Sequence, residues 1–455
     1  MIELSTSGSH RCSISYFQKY VVSLAVILTC LLMTACSGEG DVPTDLKSVK
    51  QEMHRLMKEG KLKKARQLVD KSATRLKSRL DLKSMKRSDL KELSLKGCEF
   101  RKLKGDLLYI SGDYNEATRE FQIVKQITKA LGKLTRSARA GVKAGSVEME
   151  MGVYSGAEEE LLEARATLRH LVQEGDTSQE RMLSWTNMIL SNLYLNLEQF
   201  QKSKEIRDQV TYKLSDYGDD AFLYWQFLEA RFGWELNFGN PEHARQLIDE
   251  GAKFVQERPY LSPYYTPRVH YLRLLMMLEQ NSDYHDALMK TMALHRKYLP
   301  ENHPRYASYL EDVAFWEFER DSFQLAGKST KQADSILVDK NCEKSTVHIR
   351  ILLLESTILM KASNKNSKSA EHILEKAESL MKDNLPENHS CWGLLAINRY
   401  FYYYQKGDLK KAKTLLFQAR KIFSNKPDGK NTVKEIDDIL LNKLHVSPDT
   451  ILKTP

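Results

Sequence analysis

Along most of this chain leucine and alanine recur at intervals of three and four residues, with lysine and glutamate between them. That is the period of an amphipathic α-helix. Alternating Val/Ile/Thr runs flanked by hairpin dipeptides, the mark of paired strands, are scarce. Only 21 glycines and 11 prolines punctuate the 455 residues, so the breaks between helices are few and short. The pattern predicts an all-α chain.

The breaks themselves repeat. The pentapeptide Leu-Pro-Glu-Asn-His occurs at 299–303 and again at 385–389, and Ala326 follows Pro300 by the same interval at which Ala412 follows Pro386. A turn followed by an apolar residue and then a small one also appears elsewhere. Gly60-Lys61-Leu62 leads to Ala65, Gly112-Asp113-Tyr114 to Ala117, Gly152-Val153-Tyr154 to Ala157, and Glu198-Gln199-Phe200 to Ser203. Gly239-Asn240-Pro241 leads to Ala244, Ser282-Asp283-Tyr284 to Ala287, and a degenerate copy runs from Ser367 to Ala370. With Asp321-Ser322-Phe323 before Ala326 and Gly407-Asp408-Leu409 before Ala412, this makes nine units about 40 residues apart.

Each unit resembles a tetratricopeptide repeat, two antiparallel helices that touch through small residues beside an aromatic plug. Gly105, Tyr114, Ala117 and Phe121 match that signature, as do Gly145, Tyr154, Ala157 and Ala164, and Gly407, Ala412, Leu416 and Ala419. A missing or one-carbon side chain lets helices approach closely, and Gly112 and Gly407 suit the positive φ that ends a helix. The resemblance implies a right-handed superhelical solenoid of about nine hairpins over residues 46–430, closed by a capping helix and tail at 431–455. In the two pentapeptides, proline stops one helix and His303 or His389 marks the entry to the next, with Pro304 at a first helical position. Extra residues at 174–177 and 258–263 read as longer loops. Pro427-Asp428-Gly429 reads as a turn, with Thr432 and Glu435 as a capping box for the last helix.

The first 35 residues form a separate segment. Arg11 and Lys19 precede a 13-residue apolar run, Val21 to Met33, too short to span a bilayer comfortably. It ends in Met33-Thr34-Ala35-Cys36, which resembles the bacterial lipobox. That resemblance implies a signal peptide over 1–35, lipidation at Cys36, a lipidated linker over 36–45 and a membrane partner reached through the acyl chains. Ser37, where an aspartate marks inner-membrane retention, points to the outer membrane. Glu39 and Asp41 leave periplasmic and surface-facing orientations both open.

Charge is concentrated near that anchor. Residues 41–104 hold 20 Lys/Arg against 9 Asp/Glu, whereas the whole chain carries a formal +9. The excess fits solvated helix faces or attraction to membrane phosphates; nucleic acid is a poor partner for an exported protein. Beyond the leader and Cys36, Cys98, Cys342 and Cys391 are odd in number and far apart, so they read as small buried residues, with a Cys342–Cys391 bridge the alternative.

Catalysis has no sequence support. Ala326-Gly327-Lys328-Ser329-Thr330 has the end of a phosphate-binding loop, but Ser322 stands where that loop needs glycine. No cofactor motif occurs, and neither His303 nor His389 has a second metal ligand at i+4. Binding is the remaining function. In the repeat family the first helices line the concave side, and their inward positions fall here on Lys102, Arg139, Trp185, Asn192, Glu229, Phe401 and Tyr404. Lys50, Lys102 and Asn192 do not reproduce the carboxylate-gripping set that some family members carry in two adjacent repeats. The expected partner is therefore a protein or peptide of unknown identity, laid along an open groove. A sensory or regulatory module and an accessory lipoprotein of an uptake or assembly system are the alternatives.

Overall fold

A computed structural model of the chain describes residues 43, 45–78, 87–211, 220–279, 283–362, 367–427 and 429–447. The signal segment 1–35, Cys36 and most of the linker lie outside the described residues. Nineteen α-helices and no strand occur among the described residues. The first two, α1 (Leu46–Lys58) and α2 (Leu62–Ser78), form hairpin 1. Hairpins 2 to 4 are α3 (Arg87–Ile110) with α4 (Tyr114–Ala130), α5 (Leu134–Glu150) with α6 (Tyr154–Gln173), and α7 (Glu180–Asn196) with α8 (Phe200–Arg207). Hairpins 5 and 6 are α9 (Ala221–Phe238) with α10 (Pro241–Gln256) and α11 (Ser262–Glu279) with α12 (His285–Tyr298). Hairpins 7 to 9 are α13 (Pro304–Glu319) with α14 (Phe323–Asp339), α15 (Thr346–Ala362) with α16 (Ser367–Asn384), and α17 (Ser390–Gln405) with α18 (Leu409–Ser424). The last helix, α19 (Lys430–Asn442), caps the array. The fold is an all-α superhelical solenoid of tetratricopeptide-like hairpins.

Local chemistry explains the hairpins. Every small residue in the repeated position is buried except Ala287, which is half-buried. A Cβ on Gly105 would lie 2.6 Å from the Phe121 ring, and one on Gly393 2.5 Å from the Phe423 ring. Glycine there is what lets the aromatic plug sit against the opposing backbone. Turns close in the Schellman manner: the Asp113 N–H donates to Leu108 O at 2.9 Å, the Gly112 N–H to Tyr109 O at 3.1 Å, and Gly112 has φ +77°. Where glycine is missing, Glu198 and Asp321 take φ values of 53° and 54°.

Both pentapeptide junctions behave as their residues imply. His303 caps α13 by accepting from the Arg305 N–H, with Pro304 in the first turn, and His389 caps α17 by accepting from the Cys391 N–H. Two local expectations change, at Ser262 and at Thr432, and the reading of the cysteines as small buried residues stands. Ser262 and Pro263 already belong to α11, since an N-terminal proline sacrifices no helical hydrogen bond. The last helix starts at Lys430, so Thr432 lies inside its first turn and forms no capping box. Cys342 and Cys391 are free, each buried at the entry to a different hairpin, and burial pushes both thiols up to about 12. At the far end Ile436 and Leu440 of α19 cover Ala412, Leu416 and Phe423, which gives the array the lid that a solenoid needs.

Candidate functional site

The superhelix is tight enough for hairpins five apart to touch. The Tyr264 hydroxyl, at the start of α11, donates to Met57 O at 3.1 Å, joining hairpins 1 and 6. The turn of hairpin 2 lies against the entry to hairpin 7, where a Cβ on Gly112 would stand 2.6 Å from Pro304, and Asp113 beside it accepts from Lys340, at the end of α14, at 2.7 Å. The Thr346 N–H, entering hairpin 8, donates to the Tyr154 hydroxyl of hairpin 3 at 3.2 Å. Glu198 of hairpin 4 accepts from the Ser390 N–H at 3.0 Å and pairs with Lys426 of hairpin 9. In each case the turn between the helices of one hairpin docks on the entry to the first helix five hairpins later. The repeated pentapeptide supplies two of these four entries.

So narrow a coil brings the first helices together across its axis. Their inner side chains form a buried charge network rather than a groove. The Arg268 Nε donates to Glu229 at 2.7 Å, and a second Arg268 nitrogen holds the other carboxylate oxygen. Arg305 reaches Glu150 at 2.7 Å, the Tyr109 hydroxyl at 3.0 Å and Glu229 at 3.3 Å. Gln226 donates to the same hydroxyl at 2.6 Å. Burial opposes the charge on Glu229, yet Arg268 and Arg305 outweigh it and hold the carboxyl below its usual range. Burial lowers His295 to about 4 and holds His303 well below its usual range, so both rings are neutral. The void enclosed by Arg268, Arg305, His295 and His303 is about 20 Å³, room for roughly one water. Two arginines, two glutamates and polar partners in such a place fix register more than they add stability.

Nearer the first hairpin the network continues. Lys143, almost wholly buried, bridges Asp106 at 2.6 Å and Asp220 at 3.2 Å. Arg139 also pairs with Asp220 at 3.3 Å, and Lys102 pairs with Glu99 at 3.0 Å. Three of the residues expected to line a groove, Lys102, Arg139 and Glu229, are therefore gathered along the axis, but Glu229 is consumed by two arginines. Trp185 has no exposed surface and packs in the core. Asn192 is half-buried with its amide 3.9 Å from the Met149 sulfur. Phe401 and Tyr404 lie apart from all of these, on α17, where Phe401 is half-buried and Tyr404 is exposed. The open concave groove is corrected to a filled one, because opposing first helices are in contact.

Among the described residues, openings lie on the outside as well. A cleft of about 450 Å³ runs between Arg66 and Gln67 of hairpin 1 and Asn302 and Lys340 of the next superhelical turn. A larger one, about 630 Å³, lies among α16, α17 and α18, with Leu374, Arg399, Tyr403, Lys410 and Thr414 on its walls. The Lys411 ammonium stands 4.8 Å over the Tyr403 ring. Residues Tyr109, Glu150, Arg268 and Arg305 gave no signal in the sequence, since arginine and glutamate on a helix usually mark a solvated face. In the run from Tyr400 to Tyr404, Tyr400 and Tyr402 are buried, Phe401 and Tyr403 half-buried and Tyr404 exposed, and Tyr402 and Tyr403 line the last cleft.

No protein-family model matches the chain, and a search of curated proteins gives no match. Among solved structures it is similar to the crystal structure of yeast Tom70, at 13% identity over 90% of this chain and 98% of that one, with a TM-score of 0.37. No helix among the described residues is long and apolar enough to cross a membrane.

Proposed function

We propose that this chain is a protein-binding scaffold of a bacterial cell envelope, tethered at the outer membrane through acylated Cys36. The reading of the anchor rests on the lipobox-like Met33-Thr34-Ala35-Cys36 after a short apolar run. The reading of binding is carried by one observation: opposing inner helices meet across the axis where a groove would run, while the 630 Å³ cleft among α16 to α18 is open and holds accessible aromatic and charged side chains. A rigid array that presents such a cleft positions a partner segment without reacting with it. Tyr403 supplies a broad amphipathic contact, and Arg399, Lys410 and Lys411 against Glu371 and Glu375 favour a segment carrying both charges. Phe401 and Tyr404 lie on the same helix as Tyr403 but do not line this cleft.

Fatty-acid labelling of cells expressing the wild type and Cys36→Ala tests the tether. Label retained in the variant removes it. A photo-crosslinker at Thr414 tests the cleft: an adduct that recurs with one protein and disappears in Tyr403→Ala/Lys410→Glu supports it. An adduct unaffected by those changes places binding elsewhere.

A further inference from the structure

At its first-hairpin end the charged axis opens into a cavity of about 170 Å³, enclosed by α1, α3 and the starts of α9 and α11. The volume suits a ligand of roughly ten non-hydrogen atoms, given that a water needs about 10–15 Å³. The lining is of three kinds. Lys50 and Lys102 bring positive charge, Asp106 and Asp220 bring negative charge, and Met53, Phe222 and Tyr260 are among the apolar and aromatic members.

The charges are arranged for a ligand that carries both signs. Lys102 and Asp106 are four residues apart on α3, so their Cβ atoms stand about 6 Å apart on one face, and Lys102, which pairs with Glu99 at 3.0 Å, has further donors for a ligand. Lys50 makes no ion pair among the described residues. The Asp106 side chain retains 24% of its surface although it lies against the axis, and it lines the cavity. Burial, joined by the charge of Asp220, outweighs Lys143 and pushes the Asp106 carboxyl above the usual range, a shift that an added ammonium would oppose. Asp220, by contrast, is engaged by Lys143 and Arg139 and caps α9 through the Leu223 N–H. An anion alone would face Asp106, and a cation alone would face Lys50 and Lys102. A small zwitterion meets both, and the apolar wall calls for an apolar substituent.

We infer that this cavity binds a free α-amino acid with an apolar side chain, its carboxylate on Lys50 and Lys102, its ammonium on Asp106, and its side chain against Met53, Phe222 and Tyr260. The site is independent of the tether and of the outer cleft. His54 stacks on Tyr260 with ring centroids 3.8 Å apart, which holds α1 over the cavity as its cover.

Calorimetric titration of the mature full-length protein with L-leucine and L-methionine provides the test. One equivalent binds, and Cys36→Ala binds equally well. The same titration with 4-methylpentanoate, which lacks the ammonium, and with isoamylamine, which lacks the carboxylate, gives affinities weaker by about tenfold or more. Asp106→Asn and Lys50→Met each weaken leucine by about tenfold, and Lys50→Met, at the mouth of the cavity, keeps the wild-type melting temperature. Absence of heat with every apolar amino acid overturns the inference. So does equal binding of the one-charge analogues, unchanged affinity in Lys50→Met, or tighter binding of the dipeptide Leu-Leu than of leucine.

Discussion

The turns of hairpins 3 and 9 are locally alike and energetically different. Gly152 and Gly407 both close a first helix, with φ of +79° and +80°. A Cβ on Gly407 would meet nothing within 4 Å, whereas one on Gly152 would lie 2.2 Å from the backbone of Lys344 and Ser345, five hairpins along. The same residue type therefore answers one demand in the free turn and two in the docked turn. A positive φ is imposed by the end of a helix; a vacant Cβ position is imposed by the next superhelical turn.

Breaking the docked side should cost most. Gly152→Ala combines left-handed backbone strain with a clash against backbone that cannot rotate away, an expected loss of about 4 kcal/mol. It would be read from the urea midpoint and from hydrogen exchange of the amides that open α15. Unchanged protection there would show that the seam is not a constraint. Glu198→Ala strands Lys426, whose side chain is only 4% exposed, and should cost about 3 kcal/mol, with exchange increased at 389–391 and not at 345–350.

Acid should weaken the docked side through His295, whose ring lies 5.2 Å from that of His303. Its pKa falls from an unfolded value of about 6.5 to about 4 in the fold. Between those values only the unfolded chain holds the proton, so stability falls as pH drops from about 6.5 to 4, by about 3 kcal/mol in all. Asp312, pushed up to about 8 by burial, has the opposite slope over the same range. The diagnostic is consequently the difference between the wild-type and His295→Gln profiles, and parallel profiles would refute the assignment. The smallest effect belongs to the free turn: Gly407→Ala should lose about 1 kcal/mol from φ strain alone, with exchange in hairpins 1 to 4 untouched. A loss as large as that of Gly152→Ala would erase the distinction.

The hairpins were legible because their causes are local. Ala65, Ala117 and Ala412 repeat where helices must touch, Gly112 and Gly407 where a chain must reverse, and His303 and His389 where an entering helix needs a cap. The candidate site was legible only in part. The resemblance put Lys102, Arg139 and Glu229 on inward faces, and in the structure they pair with Glu99, Asp220 and two arginines. What they face was invisible, since Glu229 finds Arg305 76 residues away. Trp185 shows the limit from the other side: a tryptophan on a first helix fits a core as well as a groove.

Periodicity, turn chemistry and small-residue spacing are short-range properties, so the residues alone determined an all-helical array of about nine hairpins, though not the boundary of each, as the starts at Ser262 and Lys430 show. The pitch of the coil depends on small angles added up over five units, and no single unit encodes it. Tertiary structure alone decided that opposing inner helices would meet, that their arginines and glutamates would neutralise one another across the axis, and that among the described residues open space would lie at its first-hairpin mouth and along outer clefts.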